Sequence, residues 1–540
     1  MPADPSARDP FTEAVIQAGL VAAADEMFSV LKKTAMSPII YEVLDVGTGI
    51  TDADGEIVSS GAGIPGFVGV LDKAVKRIVA LHGDTVRDGD VFVTNDPYWG
   101  GVTHLNDVVV AQPVFVRGEL LAWTASIAHW NDVGGMTPGS MPADAVEIFQ
   151  EGLRLPCIRL FDAGRKIDAV FDIIAANSRL PDFCMGDLWA QISAGRRAAK
   201  PIAEMAATHG TDTFRAAIAA AFAEGEARAR SGLASLPKGR FPVAQAQDEG
   251  ETWHAVIEIT DDAFVIDLRD APAQKPGPFN TSRDGALIAC QLIFKVLTDP
   301  ELYANAGSFR PLQVITRPGT IFEATSPAPH GYYSETRIRL ADMLWHTMAE
   351  VMPERLPAGH FASICGTVIA GVHPDTGRRY TMVEPQMGGW GATATRDGLD
   401  AMYSTNHGDT FNCPVEICEA RYGIDVGWRR LSDSDAGQGL HRGGRGMSTC
   451  YRPRGPATLS AGYSHVRVPV WGANGGADGG LNRISVHRPG GATQDFSFAS
   501  GVTLDAGDAL LIETANGGGW GSPAPNEKEP DQPLTDQQRT

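Results

Sequence analysis

The feature that most constrains this chain is a pair of apolar runs bounded by matching polar residues. Val dominates 108–111 and 114–116, a turn follows at Arg117-Gly118-Glu119, and a second apolar run covers 120–128. Two such runs across a glycine-containing turn specify an antiparallel hairpin. The polar run Asn95-Asp96-Pro97-Tyr98-Trp99-Gly100-Gly101-Val102-Thr103-His104-Leu105-Asn106-Asp107 leads into it, and His129-Trp130-Asn131-Asp132-Val133-Gly134-Gly135 follows it. An H-x-x-D unit therefore stands at the same end of both strands. A single H-x-x-D is weak, because turn capping explains most of them. Two on neighbouring strands offer His104, Asp107, His129 and Asp132 as a four-ligand shell for a divalent metal. The competing explanation is that these polar residues only shape turns.

The 540 residues give a length prior of about three or four domains. Charged residues make up 20% of the chain and hydrophobic residues 43%, which is globular and not disordered. The net charge of -20 argues against nucleic-acid or acidic-membrane partners. Seven cysteines (Cys157, Cys184, Cys290, Cys365, Cys413, Cys418 and Cys450) form no C-x-x-C, so a reducing cytoplasm is expected in preference to a disulfide framework. The polar N-terminus lacks the plan of a signal peptide, and no run of about 20 apolar residues predicts a membrane span.

Helical periodicity predicts helices over 11–36, 66–81, most of 165–209, 212–236, 282–297 and 334–352, with Ser282 as an N-cap. Strand patterning predicts a hairpin over 37–52 and beyond, with Asp45 inside the strand, and short strands at 91–93 and 157–161. It also predicts a hairpin over 252–268 and β-structure over 312–329. From 362 onward, short strands alternate with glycine clusters such as Gly388-Gly389-Trp390-Gly391 and Gly517-Gly518-Gly519-Trp520-Gly521. The expected fold is α+β and multi-domain, with a helix-rich middle and a glycine-rich β C-terminal third. The expected units are a flexible start at 1–10, a metal-site α+β domain at 11–240 and a second α+β domain at 241–360. A glycine-rich β domain at 361–522 and a disordered tail at 523–540 follow.

The chain carries no G-x-x-x-x-G-K-[ST] phosphate loop and no G-x-S-x-G elbow. A cysteine nucleophile at Cys413 or Cys418 near His407 ranks low, both lying in a strand-like context. Thr405-Asn406-His407-Gly408-Asp409 reads as a polar loop first and a site-lining segment second. His330 and His360 read as loop histidines.

The runs at 95–107, His129-x-x-Asp132-x-Gly134-Gly135, Ile148-Phe149-Gln150-Glu151-Gly152-Leu153-Arg154 and Asn412-x-Pro414-Val415-Glu416-x-x-Glu419-Ala420-Arg421-Tyr422 resemble the B component of the hydantoinase/oxoprolinase family. The resemblance extends in order over about 10–523. It implies a two-part enzyme in the cytoplasm. A hydantoinase A-type ATPase subunit holds ATP and phosphorylates a carbonyl or amide oxygen, and this chain is the metal-binding B component that completes hydrolysis of a cyclic amide. The alternative it implies is the metal-binding component of an ATP-dependent ketone carboxylase. A scaffolding component without metal is the third reading.

The implied metal ligands are Asp45, His104, Asp107 and His129, with Asp132 held in reserve. Zinc is the first expectation, and manganese or iron also fits two imidazoles and two carboxylates. Asp132 and Glu151 are the candidate general bases. The resemblance departs at Val43-Leu44-Asp45-Val46-Gly47, where relatives carry an Arg-x-Asp-Phe-Ser run. The glycine pairs at 100–101 and 134–135 are expected to let substrate approach the backbone beside the metal.

Overall fold

The computed structural model describes residues 9–98, 101–301, 303–408 and 410–523. The start at 1–8, Trp99, Gly100, Leu302, Asp409 and the tail beyond residue 523 lie outside the described residues. The first helix, α1 (Pro10–Thr34), starts where Asp9 accepts a hydrogen bond from the Phe11 amide and Pro10 takes the first helical position. Its buried side chains, Ile16, Leu20, Ala23, Ala24, Met27 and Leu31, fall on one stripe. Among the described residues it is the one helix long and apolar enough to cross a membrane. Here that stripe packs on the central sheet and on two later helices.

After the single turn α2 (Pro38–Tyr41) come β1 (Val46–Asp52), β2 (Ile57–Gly63) and α3 (Pro65–His82). Next are β3 (Val91–Thr94), β4 (Asp107–Val116), β5 (Glu119–His129), β6 (Ile158–Asp162) and β7 (Arg165–Lys166). These seven strands form one antiparallel sheet in the order β2-β1-β5-β4-β3-β6-β7. Alternation along β4 and β5 divides the side chains between two faces. Val108, Val110 and Ala128 join the core under α1, while Val109, Ala111, Ala125 and Ile127 join the core under α3.

The helix-rich middle follows as α4 (Asp168–Asn177), α5 (Pro181–His209) and α6 (Thr211–Ala234). A second sheet then forms from β8 (Gly239–Ala246), β9 (Thr252–Ile259), β10 (Phe264–Asp267) and β11 (Leu312–Ile315), in the order β11-β10-β9-β8. Pro242 sits in the edge strand β8, where a missing amide donor is tolerated. Helices α7 (Arg283–Thr298) and α8 (Tyr333–Val351) cover this sheet, and Ser282 caps α7 by accepting from the Gly285 amide.

The last third holds β12 (Gly366–Val372), β13 (Arg379–Glu384), α9 (Val415–Arg421), β14 (Ile424–Leu431), β15 (Met447–Pro453) and β16 (Ala457–Gly462). It ends with β17 (Arg483–His487), β18 (Thr493–Phe496), β19 (Phe498–Leu504) and β20 (Ala509–Glu513). They make two sheets, β13-β12-β16-β19 and β14-β15-β20-β17-β18. The fold is thus α+β with several sheets. One apolar core joins Val46 and Val108 of the first sheet to Val368, Leu459 and Ile512 of the last third.

Three local expectations change. Residues 38–41 form a helical turn, so Asp45 stands just before its strand instead of inside it. Only Leu312–Ile315 of the predicted 312–329 stretch is a strand, the remainder being mostly turns around prolines. Cys418 lies on α9, not in a strand, because Pro414 opens a helix there.

Candidate metal centre

Strand register assembles the centre. Asp107 of β4 pairs with His129 of β5, and one step along Val108 pairs with Ala128. Ala128 also pairs with Val46 of β1. Asp45, one residue before Val46, therefore stands level with His129 and Asp107 across three adjacent strands. The backbone confirms the alignment, since the His129 amide donates to the Asp45 carbonyl at 3.1 Å. Leu44, at φ 64, takes the left-handed conformation that turns the chain from α2 into β1 at this point. His104 reaches the same place through the turn before β4, where the Asp107 amide donates to the His104 carbonyl at 3.1 Å.

Ligand atoms of His104, Asp107 and His129 all lie within 4.8 Å of one another, and the three residues are buried. Asp45 falls outside that radius but lines the same cavity of about 50 Å³, together with Tyr333, Arg337 and His407. His104 Nε2 lies 3.1 Å from Asp107 Oδ1, and His104 Nδ1 is 3.0 Å from the Gly331 carbonyl. That outer contact fixes the ring, as hydrogen-bonded partners do for ligating histidines. Tyr333 donates to Asp107 Oδ2 at 3.1 Å, and Thr103 donates to the same oxygen.

The electrostatics favour a cation. Burial, and then the neighbouring Asp107 carboxylate, hold the Asp45 carboxyl well above the usual range, with Arg337 opposing. Burial also acts to raise Asp107, but His104, His129 and Thr103 outweigh it and bring it below the usual range. Burial lowers His129 to about 4, so its imidazole is neutral and able to ligate at neutral pH. Asp45 Oδ1 and His129 Nδ1 are buried without a hydrogen-bond partner among the described residues, and Asp107 Oδ1 meets the imidazole of His104. Buried polar atoms are ordinarily satisfied. Two open ligand atoms in one cluster of two imidazoles and two carboxylates fit a divalent metal.

Asp132 and Glu151 occupy other positions. The Asp132 carboxylate accepts from the Gly134, Gly139 and Arg179 amides at 3.0, 3.1 and 2.9 Å, and pairs with the Arg179 guanidinium at 3.1 Å. It organises the turn after β5. Glu151 accepts from the His330 amide at 2.9 Å and the Gly331 amide at 2.6 Å. Gly331 is the residue whose carbonyl meets His104, so Glu151 supports the centre from behind. Burial pushes its carboxyl up to about 7 against those amide bonds.

The glycines serve close packing. A Cβ on Gly135 would meet the Gln150 carbonyl at 2.5 Å, and one on Gly134 the Asn177 carbonyl at 2.7 Å. These contacts lie within the protein, so close packing by itself accounts for both glycines, while Gly100 of the other pair lies outside the described residues. The Asn95 side chain ties the first polar run to the 148–154 run, bonding the Leu105 and Leu153 carbonyls and the Leu155 amide.

Of two further cavity residues, His407 belongs to the segment read from sequence as a loop first and site-lining second, and Arg337 was not singled out. His407 arrives from the C-terminal third and is buried, with Nε2 unpartnered. Burial first, then Arg337, lowers it to about 3. Its polar, glycine-containing neighbourhood was the available signal. Arg337 is 1% exposed and lies over the Tyr333 ring at 5.0 Å, one turn away on α8. The signal there was a helix with Glu335, Arg337, Arg339 and Asp342 spread around it, leaving no side for solvent alone.

The hydantoinase B/oxoprolinase family model matches residues 9–523. The B component of a D-/L-hydantoinase, so described for Pseudomonas sp., is 28% identical, over 98% of this chain and 92% of the relative. The crystal structure of the ATP-dependent caprolactamase from Pseudomonas jessenii superposes with a TM-score of 0.87 at 26% identity, covering 95% of this chain and 91% of that one. A nucleotide-free acetone carboxylase structure shares the fold, with a TM-score of 0.85 at 19% identity over 96% of this chain and 76% of that chain. With nearly every described residue inside the match, and the same architecture in solved structures, this chain belongs to the hydantoinase B/oxoprolinase family.

Proposed function

We propose that this chain is the metal-binding B component of an ATP-dependent cyclic amide hydrolase, acting on substrate that an A-type ATPase partner has phosphorylated. The observation that carries the reading is the buried Asp45, His104, Asp107 and His129 group at one end of the central sheet. The hydantoinase and caprolactamase relatives support the reaction class. ATP is assigned to the partner, because this sequence has no phosphate loop. The seven free, buried cysteines agree with a cytoplasmic complex.

Asp45, His104, Asp107 and His129 would hold the ion, zinc first among the candidates. When bound, it supplies Lewis acidity toward a carbonyl oxygen or lowers the pKa of water. The protein's own part is positional. Glu151 holds the Gly331 backbone that fixes His104, and Tyr333 and Thr103 hold Asp107. Asp132 shapes the turn that follows His129. We therefore assign Asp132 and Glu151 positioning roles, since their carboxylates are occupied by backbone amides. In the reaction, water adds to the phosphorylated amide carbon, the ring C–N bond breaks as the nitrogen takes a proton, and a second water releases phosphate from the resulting acyl phosphate to leave a carboxylate.

The shared fold with acetone carboxylase keeps a carboxylase component as the second reading. Co-expression with the partner ATPase separates the two. A cyclic amide that stimulates ATP hydrolysis without hydrogen carbonate, with ring-opened product, supports the hydrolase. ATP turnover with a ketone that requires hydrogen carbonate supports the carboxylase. In either case Asp45→Ala is expected to abolish product formation, and full activity in that variant would contradict the metal assignment.

A further inference from the structure

The last wall of the cavity comes from the C-terminal third. Ser404, Asn406 and His407 are 2%, 0% and 6% exposed. Their Oγ, both amide atoms of Asn406, and Nε2 of His407 have no hydrogen-bond partner among the described residues. Within this run, His407 lines the same cavity as the metal-site residues. Arg337 lines the same cavity; its guanidinium donates to the Gly66 carbonyl at 3.3 Å, and its Nε has no partner among the described residues. A buried guanidinium is costly unless it meets negative charge.

The charges around the cavity define what it accepts. Asp45 and Asp107 are the carboxyl groups that line the cavity with Arg337 and His407. A divalent ion held by these two carboxylates balances them, and Arg337 then leaves the cavity positive. The unpartnered Nε2 of His407 can offer an N–H to a ligand there. A fixed cation with a donor in a buried cavity is suited to a negatively charged oxygen.

We propose that His407 and Arg337 form an anion subsite facing the metal ligands, taking a phosphoryl or developing alkoxide oxygen of the substrate. His407 Nε2–H donates to that oxygen, and Arg337 supplies the charge. The proposal rests on the metal reading above, but not on the identity of the substrate ring. Both proposed reactions place an anionic oxygen at this point.

The test uses the full chain loaded with zinc and titrated with inorganic phosphate by calorimetry, alongside elemental analysis. Wild type is expected to bind phosphate. His407→Phe is expected to bind it about tenfold or more weakly while keeping its full zinc content. His407→Gln, which retains an N–H donor, is expected to recover most of the loss. His407→Asn, with an amide too short to reach, repeats the loss in a smaller side chain and replaces the Phe variant if that one does not fold. Equal phosphate binding in wild type and the donorless variants would overturn the proposal, as would no phosphate binding by wild type. Loss of zinc in all His407 variants would also overturn it by making His407 a ligand. The hydrolase reading fails separately: if the complex opens no cyclic amide while the phosphate results hold, the reaction class is wrong and the anion subsite stands.

Discussion

At the residue scale, Glu151 shows how a side chain away from the cavity governs the centre. It binds the His330 and Gly331 amides, and Gly331 in turn fixes His104. Its carboxyl is raised to about 7 from an ordinary 4.5 by burial. A raised pKa means the native state retains a proton that the unfolded chain has lost. The associated stability is complete below pH 4.5 and disappears as pH rises through 7. Chemical denaturation of wild type and Glu151→Gln at several pH values isolates this effect, because the other groups cancel. Wild type is expected to lose about 3 kcal/mol relative to the variant between pH 4.5 and pH 8. A pH-independent difference would contradict the burial of an ionisable carboxyl here. Asp132 gives a different expectation: Asp132→Ala leaves Arg179 and three amides without their acceptor, so a loss of about 3 kcal/mol is expected with zinc retained. The motifs showed that Asp132 and Glu151 matter but not how, since an acceptor of backbone amides and a general base look alike in sequence. His407 was less legible still, because its cavity neighbours Arg337, His129, Asp107, His104 and Asp45 are all remote from it in the chain.

At the element scale, the β4–β5 hairpin was the most legible part of the chain, because its two apolar runs and its turn are local. The structure joins the strands by Arg117 at φ 55 and Gly118 at φ 85, two left-handed residues as in a type I′ turn. Arginine is a poor choice for the first of these positions. Arg117→Asn is expected to stabilise the protein by about 0.5–1 kcal/mol, with metal content unchanged, as read by thermal melting. A lower melting temperature would contradict the turn assignment. The helices with capped ends, such as the Ser282-capped α7, were equally readable. The stretch around Asp45 was not. Its β-branched residues suggest a strand, but Pro38 starts a helical turn that ends at Tyr41 and Leu44 then redirects the chain, so the strand begins one residue after the ligand. Propensity does not register such a switch over eight residues. The same reason explains 312–329, where local patterning suggested more pairing than prolines allow.

At the scale of the whole molecule, the centre draws on distant parts of one core. Asp45 comes from the N-terminal region, His104, Asp107 and His129 from the central hairpin, Arg337 from α8, and His407 from the last third. A bound ion would therefore cross-link strands β1, β4 and β5 in the native state alone. Removing metal with a chelator is expected to lower stability by about 2.7 kcal/mol relative to protein with free metal at 100 times its dissociation constant. The most direct measurement is the metal content of purified wild type, Asp45→Ala, His104→Ala and Asp132→Asn proteins. About one divalent ion per chain is expected in wild type and Asp132→Asn, with loss in Asp45→Ala and His104→Ala. Metal-free wild type that cannot be loaded, or unchanged metal in Asp45→Ala and His104→Ala, would contradict the account.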